Sequence, residues 1–167
     1  SGEIGYCLYR PEELWKPGEK EIDDFPKKES DTINLYTGSF NLEELTAIFK
    51  YLPVDITFVD KDDTVRFFSD NPRRIFDRNR AVLGRKVQLC HPPSSVHIVQ
   101  KILDDFRSGR QKQPAFWINM QGKFIHIEYF ALRNDSGEYL GTLEVTQDLT
   151  DLRKLQGEKK LLNYSND

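Results

Sequence analysis

The sequence predicts an α+β fold: a five-stranded antiparallel sheet with helices packed on one face. Three observations carry this reading. Two short alternating segments at 54–59 and 64–68 are joined by a tight acidic turn. A strongly amphipathic stretch at 94–108 then supplies the crossover that returns the chain to the sheet. Three longer alternating segments follow, separated only by turn residues, as a meander requires.

The compact domain is expected to begin near Gly38, giving a first part at 1–38 and a second at 39–167. Residues 1–38 carry Pro11, Pro17, Gly18 and Pro26 and a charged run without apolar periodicity, yet also Tyr6, Leu8, Tyr9, Leu14 and Trp15. This part reads as an arm that packs against its own domain or a neighbour. Asn41 followed by Glu44 marks a helix start of the capping-box type, and Leu42, Leu45, Ile48, Phe49 and Leu52 form its apolar stripe up to Pro53. The stretch Asp60, Lys61, Asp62, Asp63 resembles the opening of a calcium loop. It lacks the glycine at the sixth position and the terminal glutamate, so it reads as a hairpin turn.

Residues 70–90 contain short helical pieces broken by Pro72, Asn79 and Gly84. Beyond Pro92 and Pro93, the residues Val96, Ile98, Val99, Ile102, Leu103 and Phe106 fall within one half of a helical circumference, ending at Gly109. Strands are predicted at 114–120, 123–133 and 139–147, with turns at Gln121 and Gly122 and at 134–137. The last strand runs without a loop into Asp148 and Thr150, which can cap a helix predicted over about 149–162. A sheet strand coupled directly to an exiting helix suits transmission of a conformational state. Leu152, Leu155 and Leu162 make only a partial heptad, which Gly157 and Lys159 interrupt, so a short helical contact is expected.

With 167 residues, 38% hydrophobic and 31% charged, the chain has the composition of a globular protein with one core. A net charge of −3 gives no basic field for nucleic acid. No apolar run is long enough to cross a bilayer, and no apolar leader opens the sequence. The two cysteines, Cys7 and Cys90, form no disulfide pattern, and the expected setting is the cytoplasm.

Taken in order, these pieces resemble a PAS domain over about residues 41–155. The matching elements are the opening strand up to Asp60, the Ala81, Val82, Leu83, Gly84, Arg85 element, and the helix ending in Phe106, Arg107, Ser108, Gly109. The strand pair around Asn134 to Gly137 and the terminal Asp148, Leu149, Thr150 complete the set. Cys90, His91, Pro92, Pro93 and the 52–59 segment resemble, more narrowly, a prokaryotic group in which PAS follows a hemerythrin-like region. The resemblance implies a PAS-like sheet with flanking N- and C-terminal helices, and a non-catalytic sensory or ligand-binding module. It also implies homodimerisation and an upstream hemerythrin-like or other regulatory domain. The ligand stays open, because PAS domains bind heme, flavins, small acids or nothing.

The expected pocket lies between sheet and long helix, with His91, Cys90, Phe58, Phe67, Phe76, Val99, Leu103, Phe116, Ile127 and Tyr129 as candidates. Asp148 and Thr150 are the candidate output. His91, held out of helical geometry by the prolines after it, reads as a corner histidine bonded to backbone. Its alternative is axial ligation of heme. His97 lies opposite the apolar arc and reads as solvated. Cys90 reads as structural, since no third group accompanies the Cys90–His91 pair. Flavin adduct chemistry is not supported: Val87 stands where the light-sensing subfamily has its reactive cysteine. The cluster Arg73, Arg74, Arg78, Arg80 and Arg85 reads as a solvated, partly paired surface rather than an anion site. His126, Glu128 and Phe130 are expected on the sheet's far side, a dimer surface, with Ile125, Ile127 and Tyr129 toward the core. The remaining function is a docking module without a ligand.

Overall fold

The structure is a computed structural model, and it describes residues 32–159. Most of the arm, residues 1–31, and residues 160–162 of the predicted terminal helix lie outside the described residues. A small antiparallel hairpin comes first, β1 (Ile33–Leu35) and β2 (Gly38–Phe40), so the boundary expected at residue 38 falls inside a paired element. Helix α1 (Leu42–Tyr51) follows. Asn41 starts it with a full capping box: its side chain accepts from Glu44 N at 2.8 Å, and the Glu44 carboxylate accepts from Asn41 N at 2.8 Å.

The main sheet contains β3 (Asp55–Asp60), β4 (Val65–Phe68), β5 (Ala115–Met120), β6 (Lys123–Arg133) and β7 (Tyr139–Asp148). Its order is β4-β3-β7-β6-β5, every neighbouring pair antiparallel, which makes β3 and β7 adjacent. The five-stranded α+β architecture is therefore as expected. Helix α2 (Pro93–Arg107) crosses the inner face, with Pro93 in its first turn, where the missing N–H costs nothing. Gly109, at φ +74°, closes it in the left-handed conformation. Two 3-10 turns, Arg80–Val82 and Val87–Cys90, lie in the irregular segment before α2.

Leu103 of α2 packs in a buried cluster with Val59, Val65, Val87 and Cys90, and Phe106 of α2 and Ile125 and Ile127 of β6 are fully buried as well. Burying one such large side chain contributes about 1.5–3 kcal/mol. The helix is rotated slightly from its predicted arc: Ile98 is exposed, whereas Ser95 and Asp105 are buried. Its C-terminal end is pinned by Arg107 to Asp63 in the β3–β4 turn and by Arg133, which donates to Phe106 O at 2.5 Å. That turn is built by Asp60, whose carboxylate accepts from Asp62 N and Thr64 N at 3.0 and 2.9 Å, as a hairpin turn requires.

The faces of the central strands depart from simple alternation. Phe58 pairs with Leu143 and Phe67, whereas Val59 pairs with Thr142 and Val65. A β-bulge between these pairs puts Val65 and Phe67 on opposite faces although they are two residues apart. The outer face therefore holds Phe58, Phe67, Leu143 and Val145, and α1 leans on it through Phe49, 4.9 Å from the Phe67 ring. His126, Glu128 and Phe130 lie on the same outer face, as expected.

The predicted C-terminal helix is corrected over its described part. After β7 the chain makes a single 3-10 turn, Leu152–Lys154, and Leu155 returns to extended backbone at ψ 136°. Leu152 and Leu155 are exposed there, so no packed apolar face holds further helical turns together.

Gly141 shows how tightly the two central strands meet. At φ +151° its missing side chain faces β3, and a Cβ there would sit 2.2 Å from Val59 O. Gly141→Ala is expected to cost about 3 kcal/mol or more, because backbone rather than a flexible side chain has to move. Asn41→Ala, which removes one cap, should cost only about 1 kcal/mol. Urea denaturation of both variants checks the ranking.

Candidate functional site

Between the inner face of the sheet and α2 lies a cavity of about 40 Å³. β3 contributes Thr57 and Val59, β7 contributes Thr142 and Glu144, and β6 contributes Tyr129. Val99, Ile102 and Leu103 of α2 close the opposite wall, and Arg78, Val87 and His91 come from the irregular segment. One side is thus aliphatic and the other polar. The cavity is far below the roughly 300–1,000 Å³ of drug-sized ligand sites. A heme macrocycle does not fit this arrangement.

The polar wall is organised by an ion pair. Arg78 Nη2 donates to Glu144 Oε1 at 2.8 Å, and the two side chains are only 13% and 12% exposed. Arg78 Nε is buried and meets no acceptor among the described residues. Arg74 is drawn inward as well: it donates to Ser69 O at 2.5 Å and Phe76 O at 2.8 Å, and lies 5.2 Å over the Phe68 ring. Burial lowers the Arg74 pKa from its ordinary value. These two arginines correct the reading of the cluster as a solvated surface. The backbone around 69–76 folds inward, and the arginines supply donors to the carbonyls of Ser69 and Phe76 and to the Glu144 carboxylate. Arg78 also borders a wider groove of about 370 Å³ on the outside, formed with Arg66, Phe67, Phe68, Asp70, Arg80 and Leu83.

Polar groups also line β3 and β7 on this face. Asp55, Thr57, Thr142 and Thr146 are all buried. Burial pushes the Asp55 carboxyl upward, against the hydrogen bond it accepts from Ile75 N at 2.6 Å and the nearby Arg74 charge. Tyr139 and Thr142 share a hydroxyl–hydroxyl bond of 2.7 Å, and Thr57 Oγ1 accepts from Arg74 at 3.5 Å.

Of the candidates read from the sequence, His91, Val99, Leu103 and Tyr129 come together around the cavity. Cys90 and Ile127 are buried beside it in the core, the Cys90 thiol donating to Lys86 O at 3.9 Å. Phe116 shares the inner face further along, its ring 6.0 Å from Tyr129. Phe76 is not on the cavity wall. Phe58 and Phe67 belong to the opposite face, a correction caused by the bulge and by the inward turn of the polar set on β3. Sequence reasoning missed Thr57, Thr142 and Glu144, whose one signal was a polar residue at every second position of two central strands, and it weighed Arg78 only as part of a surface cluster.

His91 is half-buried in extended backbone, at φ −123° and ψ 146°, as the residue before Pro92 should be. It makes no hydrogen bond to the described residues; the backbone bond at the corner runs from Ser95 N to Pro92 O at 2.9 Å. The corner is therefore fixed without it. Burial holds its imidazole pKa below 6.5, opposed by Glu144 and assisted by Arg78. His97 is exposed. No group of three or more His, Cys, Asp or Glu among the described residues is placed to hold a metal ion.

The exit of β7 is clamped. Thr150 N and Oγ1 donate to Asp148 Oδ1 at 3.0 and 2.5 Å, and Thr150 Oγ1 accepts from Phe124 N at 2.8 Å. Leu149 N donates to Phe124 O at 2.9 Å, Lys123 lies 3.3 Å from Asp148, and Arg153 covers the Phe124 ring at 3.8 Å. The Thr150 and Lys123 bonds hold the Asp148 carboxyl below its usual range.

A five-stranded antiparallel sheet crossed by one long helix, with a small mixed cavity between them, defines the PAS-type sensory fold. The chain belongs to the PAS domain family, whose profile matches residues 45–150. Among solved structures, it is similar to the C-terminal domain of a Streptococcus mutans protein, with 32% identity and a TM-score of 0.71 over 75% of this chain and 97% of that one. It is also similar in fold to the PAS domain of BvgS from Bordetella pertussis, with 18% identity and a TM-score of 0.51 over 68% and 92% of the two chains. No curated protein matches the chain. PAS domains are generally sensory and non-catalytic. No described helix is long and apolar enough to cross a membrane.

Removing one member of the buried pair leaves the other charge uncompensated. Arg78→Met is expected to cost about 3–5 kcal/mol, while Arg78→Met with Glu144→Leu should return to within about 1 kcal/mol of wild type. Guanidinium denaturation of the single and double variants measures this. For His91 the folded pKa lies below the unfolded one, so the unfolded state takes up the proton first as pH falls. Stability should decline as pH drops below about 6.5, and His91→Gln should flatten that part of the profile.

Proposed function

We propose that the chain is a non-catalytic sensory module in which the contents of the sheet–helix cavity bias β7, and β7 passes that bias to Asp148 and Thr150. The observation that supports this reading is the position of Glu144. It forms part of the cavity wall, and it shares a strand and a face with Asp148, four residues further on. Any ligand that changes the Arg78–Glu144 contact acts on the strand that carries the exit. What changes downstream is the clamp on Phe124, rather than the register of a long helix.

The outer face supplies a surface for partners. Trp117, 63% exposed on β5, stands beside His126 on β6, and Phe130 lies four residues further along β6 on the same face. This face supports a homodimer of the module. An upstream hemerythrin-like or other regulatory domain is the proposed input partner. It agrees with the similar Streptococcus mutans domain being C-terminal in its own protein. Cytoplasmic action is part of the same proposal.

Hydrogen exchange tests the coupling. Glu144→Gln should accelerate exchange of the Leu149 amide several-fold, whereas Asn41→Ala should leave it unchanged. An unaltered Leu149 amide beside altered amides around residue 144 would sink the coupling. Sedimentation velocity addresses the dimer: Trp117→Glu is expected to shift the protein toward monomer, and identical profiles for both proteins would count against this face.

A further inference from the structure

We infer that the cavity selects small, uncharged molecules with a hydrogen-bond-accepting oxygen at one end and an aliphatic group at the other. The inference rests on the cavity being a ligand site and names the class of ligand it takes.

The oxygen is specified by Arg78. Its Nε–H and Nη2–H lie along one edge of the planar guanidinium, the edge that ordinarily grips two oxygens side by side. Here Nη2 reaches Glu144 Oε1 at 2.8 Å, while the buried Nε meets no acceptor among the described residues. Of the other polar groups on the wall, Thr142 is engaged with Tyr139 and Thr57 with Arg74, while His91 has no hydrogen bond to the described residues and offers a second contact for a polar ligand. An oxygen brought to this edge of Arg78, which is closed to water in this structure, would satisfy the unmet donor.

Charge sets the second condition. Arg78 and Glu144 neutralise each other, and burial together with Arg78 favours the neutral form of His91. An anion would add an uncompensated negative charge next to Glu144, and a cation would compete with Arg78 for it. A neutral acceptor avoids both costs.

The third condition is size and lining. At about 40 Å³ the cavity has room for roughly three water-sized positions, so short amides, ketones and alcohols are the appropriate scale. Val59, Val99 and Leu103 face the remainder of such a molecule.

Acetamide and acetate have the same heavy-atom shape and differ in charge, which makes them the decisive pair. The full chain, labelled with ¹⁵N, is titrated with each at pH 7.5, and separately equilibrated with xenon as an apolar probe. Acetamide is expected to shift the amides of Leu103, Thr142 and Glu144 and to saturate at concentrations at least about tenfold below acetate. Arg78→Lys keeps the charge but lacks Nε, and should weaken the acetamide response about tenfold or more. Acetate binding as well as acetamide, or an acetamide response unchanged in Arg78→Lys, overturns the assignment. Xenon binding without acetamide leaves a ligand site but refutes its class. If neither acetamide, acetate nor xenon perturbs these amides, the cavity holds water alone, and the ligand-site reading fails with the assignment. The acetamide–acetate comparison is made on the wild-type protein and stands even if the Arg78 variant does not fold.

Discussion

A guanidinium and a carboxylate held almost out of water, 66 residues apart in the chain, connect the irregular part of this domain to its central strand. The segment from 70 to 90 is held to the sheet at one end by the bond from Ile75 N to Asp55 and at the other by backbone bonds of residues 84–87 to the β3–β4 hairpin, and the Arg78–Glu144 bond fixes its middle against β7. These attachments determine where His91 and the start of α2 sit. Replacing both ions with hydrophobic side chains would cost little stability, so the value of the pair lies in positioning. It places one charged fork at the polar end of a small cavity and joins that fork to the strand leading out of the domain.

The pair is one of several polar contacts that go with the reversed faces of the two middle strands. Asp55, Thr57, Thr142, Glu144 and Thr146 turn toward the helix, while Ile56, Phe58, Leu143 and Val145 turn away. A sheet can tolerate this arrangement only if the inward polar atoms find partners. Arg74, Arg78, Ile75 N and Tyr139 provide most of them. The outward apolar set is then left for α1 to cover in part. The domain consequently has two apolar regions, one beneath α2 and one behind the sheet. The second is where association is proposed.

The order of elements was legible because each follows from a local rule. Asn41 and Glu44 announce a helix, Pro93 starts α2 and Gly109 stops it, and Gln121 with Gly122 turns β5 into β6. Period-two alternation located every strand of the sheet to within one or two residues. What it could not show is which of the two alternating sets faces inward. Hydrophobicity assigns Phe58 to the core, but here the cavity and the arginines opposite it reverse that assignment. Phe67 was hidden by the bulge, a register change that leaves no mark in a single strand. His91, Val99, Leu103 and Tyr129 were found because their elements face the cavity by position alone. Arg78 stood out only as one of a cluster read as solvated, and its pairing with Glu144 was not foreseen, since a pair so distant in sequence is visible only after folding. The terminal helix failed for a simpler reason: Asp148 and Thr150 bond to each other and to Phe124 instead of capping the turn, and Leu152 and Leu155 find no apolar partner.

The clamp at the end of β7 has a mechanical consequence. Leu149, Thr150, Asp148 and Arg153 all grip Lys123 and Phe124, two adjacent residues at the start of β6. A tension applied through the C-terminal segment is therefore not shared along the length of β7. It is concentrated on one anchor, where the bonds sit in series and open one after another, like a seam unpicked from its end. The domain thus yields first at its exit, while the cavity and the strands around it remain loaded only weakly.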